Sequence, residues 1–192
     1  MRAGVSKRKG CIRGLTRAGL LSLLALGGAF PALSLGASTG GLGTPPPPPK
    51  SVRLATNLCK TVGGGRFVSI PGFPGEKIDV RLLPDLQWMV RRFHIFVSDG
   101  YSHDPVHAAG GEHPLGLAID ILPGRGGSWA QVTRLARLAE PTQNHPRAPF
   151  RWVGYRGDAG HGPHNHLHLS WSHSPAKPYH PARTVYTRIC PA

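Results

Sequence analysis

The sequence predicts an α+β domain, in which an antiparallel sheet carries flanking helices on one side. The 26 glycines and 20 prolines, with only 17% charged residues, suit a loop-rich α+β or β-rich domain better than a helix bundle. The 192 residues, 40% of them hydrophobic, can form one domain with a real core but not two comfortable ones. Apolar residues follow helical spacing in some segments and strand spacing in others, with irregular loops between them.

Two helices and four strands are expected. Residues 79–93 show helical spacing, and Pro84 favours a start there after a lead-in turn over 78–83. A second helix is predicted from Ser128, a possible N-cap, to residue 139. Short apolar runs predict the strands, over residues 95–98, 117–122, 152–155 and 165–171.

The N-terminal part predicts an export signal and a linker rather than a part of the folded domain. Residues 1–37 have the basic start, short apolar stretch and small residues of an export signal, with cleavage after Gly36 or Ala37. An uncleaved membrane anchor is the alternative. Residues 38–50, with five consecutive prolines, predict a semi-rigid linker. The folded domain is then expected over 51–192, in a secreted protein or one of the cell envelope.

The cysteines agree with export. Cys11 leaves with the signal, so Cys59 and Cys190 remain as an even pair in a chain bound for an oxidising space. We expect a disulfide between them, which would close a long loop. Two unpaired small hydrophobic residues are the alternative.

The charge favours an anionic environment. The chain carries +14, and six of its 23 cations lie in the first 17 residues, which leaves 17 cations against nine acids. A body of about +8 favours anionic wall polymers or membrane surfaces, although a general effect on solubility explains it equally well. No nucleic-acid partner is expected, because no basic helix with interleaved aromatic residues is present in the sequence.

The segment 166–168 places two imidazoles on one face of a predicted strand. Side chains alternate along a strand, so His166 and His168 point one way while Leu167 and Leu169 point to the core. Neutral imidazole is a good metal ligand, and a second imidazole nearby can act as an acid or base. A pair of surface histidines on an edge strand is the alternative.

Asp120 lies within an apolar strand and therefore needs a partner, because an unpaired buried carboxylate is costly. The small residues Gly116 and Ala118 leave room beside it. A metal ion would satisfy Asp120, with His113 from the preceding loop and His168 as further ligands. The alternative is an ion pair with an arginine such as Arg125 or Arg151.

These two segments resemble a group of metallopeptidases that includes the D-Ala-D-Ala carboxypeptidases, the murein endopeptidases and the hedgehog signalling domain. The shared pattern is His-x6-Asp followed by His-x-His, and the spacing of Gly116, Ala118 and Asp120 is similar to the signature Ser-x-His-x-x-Gly-x-Ala-x-Asp. Gly111 stands where that signature has serine. The resemblance covers residues 78–171.

The resemblance implies a hedgehog/DD-peptidase-like fold and a zinc ion held by His113, Asp120 and His168. It also implies a catalytic role for His166, which matches a catalytic histidine of some members; others use a glutamate where this chain has Asn165. Many relatives carry an arginine just after a Gly-Tyr pair. Here Ser102 follows instead, and the residues that might replace that arginine are His103, His107 and Arg156.

The expected function is that of a secreted zinc metallopeptidase that hydrolyses peptide bonds of peptidoglycan, as a carboxypeptidase or an endopeptidase. Peptidoglycan peptides are the expected partners, and anionic wall polymers are possible ones. A non-catalytic, zinc-containing module that binds the wall or a partner is the alternative. An amidase that uses the same three ligands is another.

Overall fold

The computed structural model describes residues 57–155, 158, 161 and 165–192. The predicted export signal over 1–37 and the predicted linker over 38–50 lie outside these residues. The described part contains two α-helices and eight strands, which are β1 Cys59–Val62, β2 Phe67–Ser69, β3 Lys77–Asp79, α1 Leu83–Phe93, β4 Ile95–Asp99, β5 Ala118–Pro123, α2 Trp129–Ala139, β6 Phe150–Gly154, β7 Leu167–Trp171 and β8 Thr184–Thr187.

The sheets are antiparallel, so the predicted α+β class is confirmed at this level. The central sheet has four strands in the order β4-β5-β7-β6, and each of them overlaps one of the four predicted strand segments. Strand β7 begins later than predicted, at Leu167, so His166 precedes it. Strand β1 pairs with β8, and β2 pairs with β3. These four short strands were not predicted from the sequence.

Both helices form where the apolar spacing predicts them. A single 3-10 turn over Val80–Leu82 leads into α1, and Pro84 lies in the first turn of the helix, where its missing N–H costs nothing. Helix α2 follows Ser128 directly. The Ser128 hydroxyl makes no capping hydrogen bond to the backbone; it donates to Gln131 Oε1 at 3.2 Å.

The two faces of the central sheet have different chemistry. Ile119 and Leu169, paired across β5 and β7, belong to the same buried core as Leu86 of α1 and Leu135 of α2. The alternate positions of these strands face the other way and are buried too. Among them, Asp120 lies directly opposite His168. Polar groups are therefore buried on the face away from the main core.

A disulfide joins the beginning and the end of the described domain. Cys59 and Cys190, 131 positions apart, are bonded, which confirms the predicted pairing. The bond indicates an oxidising, extracytoplasmic environment. The C-terminal segment is also held by Asp85 of α1, which accepts hydrogen bonds from Ile189 N at 2.7 Å and from Trp171 Nε1 at 3.0 Å. Within the described residues, neither helix has the length and apolar character needed to cross a bilayer.

Glu140, which follows α2, makes the stability of the fold depend on pH. Burial and the negative charge of Asp158 raise the pKa of Glu140 to about 7, from an ordinary value of 4.5. The folded state therefore binds this proton more tightly than the unfolded chain does. The stabilising effect of this bound proton is complete below pH 4.5 and is lost as the pH rises through about 7.

We expect Glu140→Gln to raise the free energy of unfolding at pH 8 by about 1 kcal/mol, because it removes a charge that the fold disfavours. This figure is lower than the full shift implies, since Glu140 is only half-buried and water screens its charge. Urea unfolding at pH 8 and pH 4 measures the effect. At pH 4 the two proteins should be equally stable, and an equal gain at both pH values would contradict the explanation.

Candidate metal centre

Three side chains from separate parts of the chain meet on the polar face of the central sheet. Asp120 Oδ1 lies 2.9 Å from His168 Nδ1 and 3.4 Å from His113 Nε2. The two imidazole nitrogens are 3.2 Å apart. All three residues are buried, and their arrangement is one that could hold a metal ion. We call these three residues the triad.

Strand pairing places two members of the triad. Asp120 of β5 and His168 of β7 are directly opposite each other in an antiparallel pair, so their side chains stand on the same face. His113 comes from a 3-10 turn, His113–Leu115, that ends at Gly116 with a φ of 64°. A Cβ atom on Gly116 would lie 2.7 Å from the Phe67 ring. Glycine is therefore needed where the turn delivers His113.

A backbone carbonyl fixes the tautomer of His113. Nδ1 of His113 lies 2.6 Å from the carbonyl oxygen of Gly100, which can only accept a hydrogen bond. In the neutral ring Nδ1 therefore carries the proton and Nε2 presents a lone pair towards Asp120 and His168; a second proton on Nε2 would let His113 donate to Asp120. Such a hydrogen bond is the usual way in which a metal-binding histidine is oriented.

The charges of the triad favour a cation at its centre. Burial would raise the pKa of Asp120, but hydrogen bonds from His113 and His168 outweigh burial and hold that pKa well below its ordinary value. Burial likewise would lower the pKa of His113, but the Asp120 carboxylate raises it above its ordinary value. Burial lowers the pKa of His168 to about 4, against the opposing effect of Asp120. The triad thus combines an ionised carboxylate, a neutral imidazole and a second imidazole that attracts a proton.

The donor set fits a metal ion. The ionised carboxylate of Asp120 and the oriented lone pair of His113 Nε2 converge on one point. His168 Nδ1 also faces this point, but it can donate only one proton and so cannot satisfy both groups. His168 Nε2 is buried and makes no hydrogen bond to the residues that the structure describes. A cation bound by all three side chains would satisfy the converging lone pairs, with the proton of His168 on Nε2.

Among the described residues, Asp120 does not form the alternative ion pair with an arginine. Its ion-pair partners among the described residues are His113, His166 and His168. Arg151 instead pairs with Glu112, whose carboxylate is buried. Glu112 is therefore engaged with β6, although it adjoins His113 in the chain.

His166 lies at the edge of the triad. Its Nε2 is 3.8 Å from Asp120 Oδ2, and its side chain is 11% exposed. Burial lowers the pKa of His166; Asp120 opposes this effect, and His168 and His113 add to it. His166 therefore remains a neutral base near neutral pH. The predicted catalytic residue faces the triad rather than pointing away from it.

His161 is a neighbour of His166 that is not among the predicted catalytic or metal-binding residues. Nε2 of His161 lies 3.2 Å from Nε2 of His166, so one ring donates to the other. Gly154 makes this approach possible: it is paired with His168 on the neighbouring strand, and a Cβ atom there would lie 2.9 Å from His161 Cδ2. The only signal in the sequence was the high density of histidines before β7.

A second cluster, formed by Asp99, His107 and His113, supports the triad. His107 Nε2 donates to Asp99 Oδ2 at 2.6 Å, and the His107 ring stacks on the His113 ring with centroids 4.0 Å apart and planes at 25°. The lone pair of an imidazole lies in the ring plane, so two stacked rings cannot both aim at one ion. Ligand atoms of the three residues also lie within 4.8 Å of one another, close enough to hold a metal ion. Their geometry fits a role in holding His113 better than a second metal site.

We expect Asp99→Asn to weaken the binding of a divalent metal at the triad about 10- to 100-fold, because it loosens the support for the His113 ring. Competition with a chromophoric chelator measures the affinity. Asp104→Asn, at an exposed carboxylate in the loop that follows β4, is the matched control and should leave the affinity unchanged. An Asp99→Asn protein with wild-type affinity would show that the stacked pair does not position His113.

The structure distinguishes between the residues that might replace the arginine found in many relatives. His107 is buried behind His113 and bonded to Asp99, so it cannot reach a ligand in front of the triad. His103 is exposed and contacts the rings of Tyr101 and Tyr179. Arg156 lies outside the described residues.

Comparison with known proteins gives no relative: no family model, no curated protein and no solved structure matches this chain.

Proposed function

We propose that this chain is a secreted zinc metallopeptidase that hydrolyses peptide bonds of peptidoglycan, as a carboxypeptidase or an endopeptidase. The observation that carries the proposal is the convergence of His113 Nε2, Asp120 Oδ1 and His168 Nδ1, at separations of 2.9–3.4 Å, beside His166.

The separations support zinc as the metal. Zinc is bound tetrahedrally at about 2.0–2.2 Å by nitrogen and oxygen ligands, which places the ligand atoms about 3.3–3.5 Å from one another. The three separations in the triad lie at or slightly below this spacing. Two histidines, one carboxylate and an open fourth position are typical of a catalytic zinc site. A structural zinc site would instead have four protein ligands.

The residues of the chain divide the chemistry between them. A zinc ion held by the triad would supply Lewis acidity and would lower the pKa of a bound water. His166, neutral because it is half-buried beside two other histidines, accepts a proton at Nε2 when water attacks the scissile carbonyl. The same imidazole then donates that proton to the leaving amine. His161 orients the His166 ring in the resting site through the hydrogen bond between their Nε2 atoms, and this bond opens when His166 Nε2 takes the proton.

The substrate class rests on four features outside the triad. The resemblance to peptidases of the bacterial wall names peptidoglycan, and the predicted export signal would deliver the protein to it. The charge of about +8 that remains beyond the first 17 residues favours an anionic polymer. The disulfide fits the same compartment.

Digestion of purified muropeptides, followed by mass spectrometry, tests the proposal. The protein with its disulfide intact is used as isolated, stripped of metal, and reloaded with zinc. We expect cleavage only by the protein that contains zinc, and the mass of the product identifies the bond. If the zinc-loaded protein cleaves no wall peptide, the proposal is wrong and the non-catalytic, wall-binding module becomes the better interpretation.

A further inference from the structure

A row of aromatic rings extends from the His113 turn to the surface. Phe67 stacks on Tyr101 with ring centroids 4.0 Å apart. Tyr101 and His103 meet at nearly a right angle with centroids 6.2 Å apart, as do His103 and Tyr179 at 5.8 Å. We call these four residues the aromatic row. They come from three distant parts of the chain, so only the fold brings them together.

The inner end of the aromatic row contacts the support of the triad. Tyr101 directly follows Gly100, whose carbonyl oxygen accepts the hydrogen bond from His113. Ser102 N donates to the carbonyl oxygen of His113 at 3.3 Å, and the Phe67 ring packs against Gly116. The row therefore begins at the turn that delivers His113.

The outer end of the aromatic row is exposed. Phe67 and Tyr101 are partly exposed, His103 is exposed, and Tyr179 is 45% exposed. Tyr179 also has a φ of 64°, a left-handed conformation that is uncommon for a bulky residue. An aromatic ring held at the surface by an unfavourable backbone conformation suggests a role in binding.

We propose that the aromatic row binds the sugar rings of the glycan strand to which the peptide substrates are attached. This inference rests on the proposed function, because the glycan is the part of that polymer next to the peptides. A pyranose ring offers an apolar C–H face to an aromatic ring and hydroxyl groups to the polar atoms around it. The row matches both requirements, since its exposed side chains combine ring faces with the tyrosine hydroxyls and the imidazole of His103.

The chemistry of the row favours a neutral ligand over a charged one. Phe67, Tyr101 and Tyr179 present aromatic rings rather than cationic side chains. A polyanion would be expected to contact clustered lysine or arginine side chains rather than three aromatic rings. Tyr101, His103 and Tyr179 lie 5.8–6.2 Å apart with successive ring planes at 83°, so a ligand that spans the row must meet several separate aromatic surfaces along its length. A glycan strand has this repeating character.

Binding of a soluble chito-oligosaccharide, a β-1,4-linked polymer of N-acetylglucosamine, tests the inference without any hydrolysis. Isothermal titration gives the dissociation constant for the wild-type protein with zinc and without it. We expect Tyr179→Ala and His103→Ala each to weaken binding at least fivefold. Phe96→Ala is the matched control, because Phe96 is an equally exposed aromatic side chain, 44% exposed, on strand β4.

The outcomes separate the two proposals. If the wild-type protein does not bind the oligosaccharide, or if Tyr179→Ala binds as tightly as Phe96→Ala, the inference is wrong even when muropeptides are cleaved. If the oligosaccharide binds and Tyr179→Ala weakens it, the inference holds even when no peptide is cleaved. For an active protein, Tyr179→Ala should also raise KM for glycan-linked peptides and leave KM for free peptides unchanged.

Discussion

Replacement of His168 by alanine is expected to lower the zinc affinity of the protein on the order of 1000-fold, because one of three protein ligands is lost from a site whose binding energy they share. His168 is buried and meets both other members of the triad, Asp120 Oδ1 at 2.9 Å and His113 Nε2 at 3.2 Å. No residual site of two ligands can hold the ion with comparable affinity. Metal content after gel filtration and competition with a chelator measure the loss.

A second variant separates loss of the ligand from loss of the fold. Asp120→Asn keeps the shape of the side chain but removes the negative charge, and it should lose zinc as well. In the same assays His145→Ala removes an exposed histidine from a turn and should bind zinc as the wild type does. If His168→Ala and Asp120→Asn both remain folded by circular dichroism and both retain one tightly bound zinc, the triad is not the metal site.

Sequence patterns predicted those parts of the fold whose structure is determined by residues close together in the chain. The alternation of Leu167, His168 and Leu169 predicted a strand with one polar face, and the structure has that strand. The small residues beside Asp120 predicted space for a partner, and the structure places His113 and His168 there. The disulfide followed from counting cysteines in a chain with a predicted export signal. In each case the sequence signal lies within a few residues or depends on composition.

The remaining parts depend on contacts between distant segments. His107 lies close in sequence to His113, but its stacking on that ring depends on a loop whose path no periodicity encodes. Asp99 faces the site because the pairing of β4 with β5 shifts in register between Val97 and Asp99. His161 reaches His166 because Gly154, on another strand, has no side chain. Sequence patterns identify residues with suitable chemistry, but the tertiary structure decides which of them meet.

Replacement of His166 by alanine is expected to leave zinc bound and to lower kcat about 100- to 10,000-fold, the usual contribution of a general acid or base. His166 is the described residue that lies at the edge of the triad without belonging to it, with Nε2 3.8 Å from Asp120 Oδ2. The metal affinity should change little, because none of the three converging atoms is removed. The turnover of muropeptides and the zinc content are measured on the same preparation.

The combination of results identifies the role of His166. His145→Ala serves again as the control for removal of a histidine and should keep full activity. His161→Ala should have an intermediate effect, because it leaves His166 in place but removes the ring that orients it. If His166→Ala retains zinc and full turnover, another group moves the proton. If it loses zinc, then His166 supports the metal itself, and the division between a three-residue site and a separate base is wrong. Retained zinc with lost turnover is the result that distinguishes an enzyme from a protein that only holds zinc.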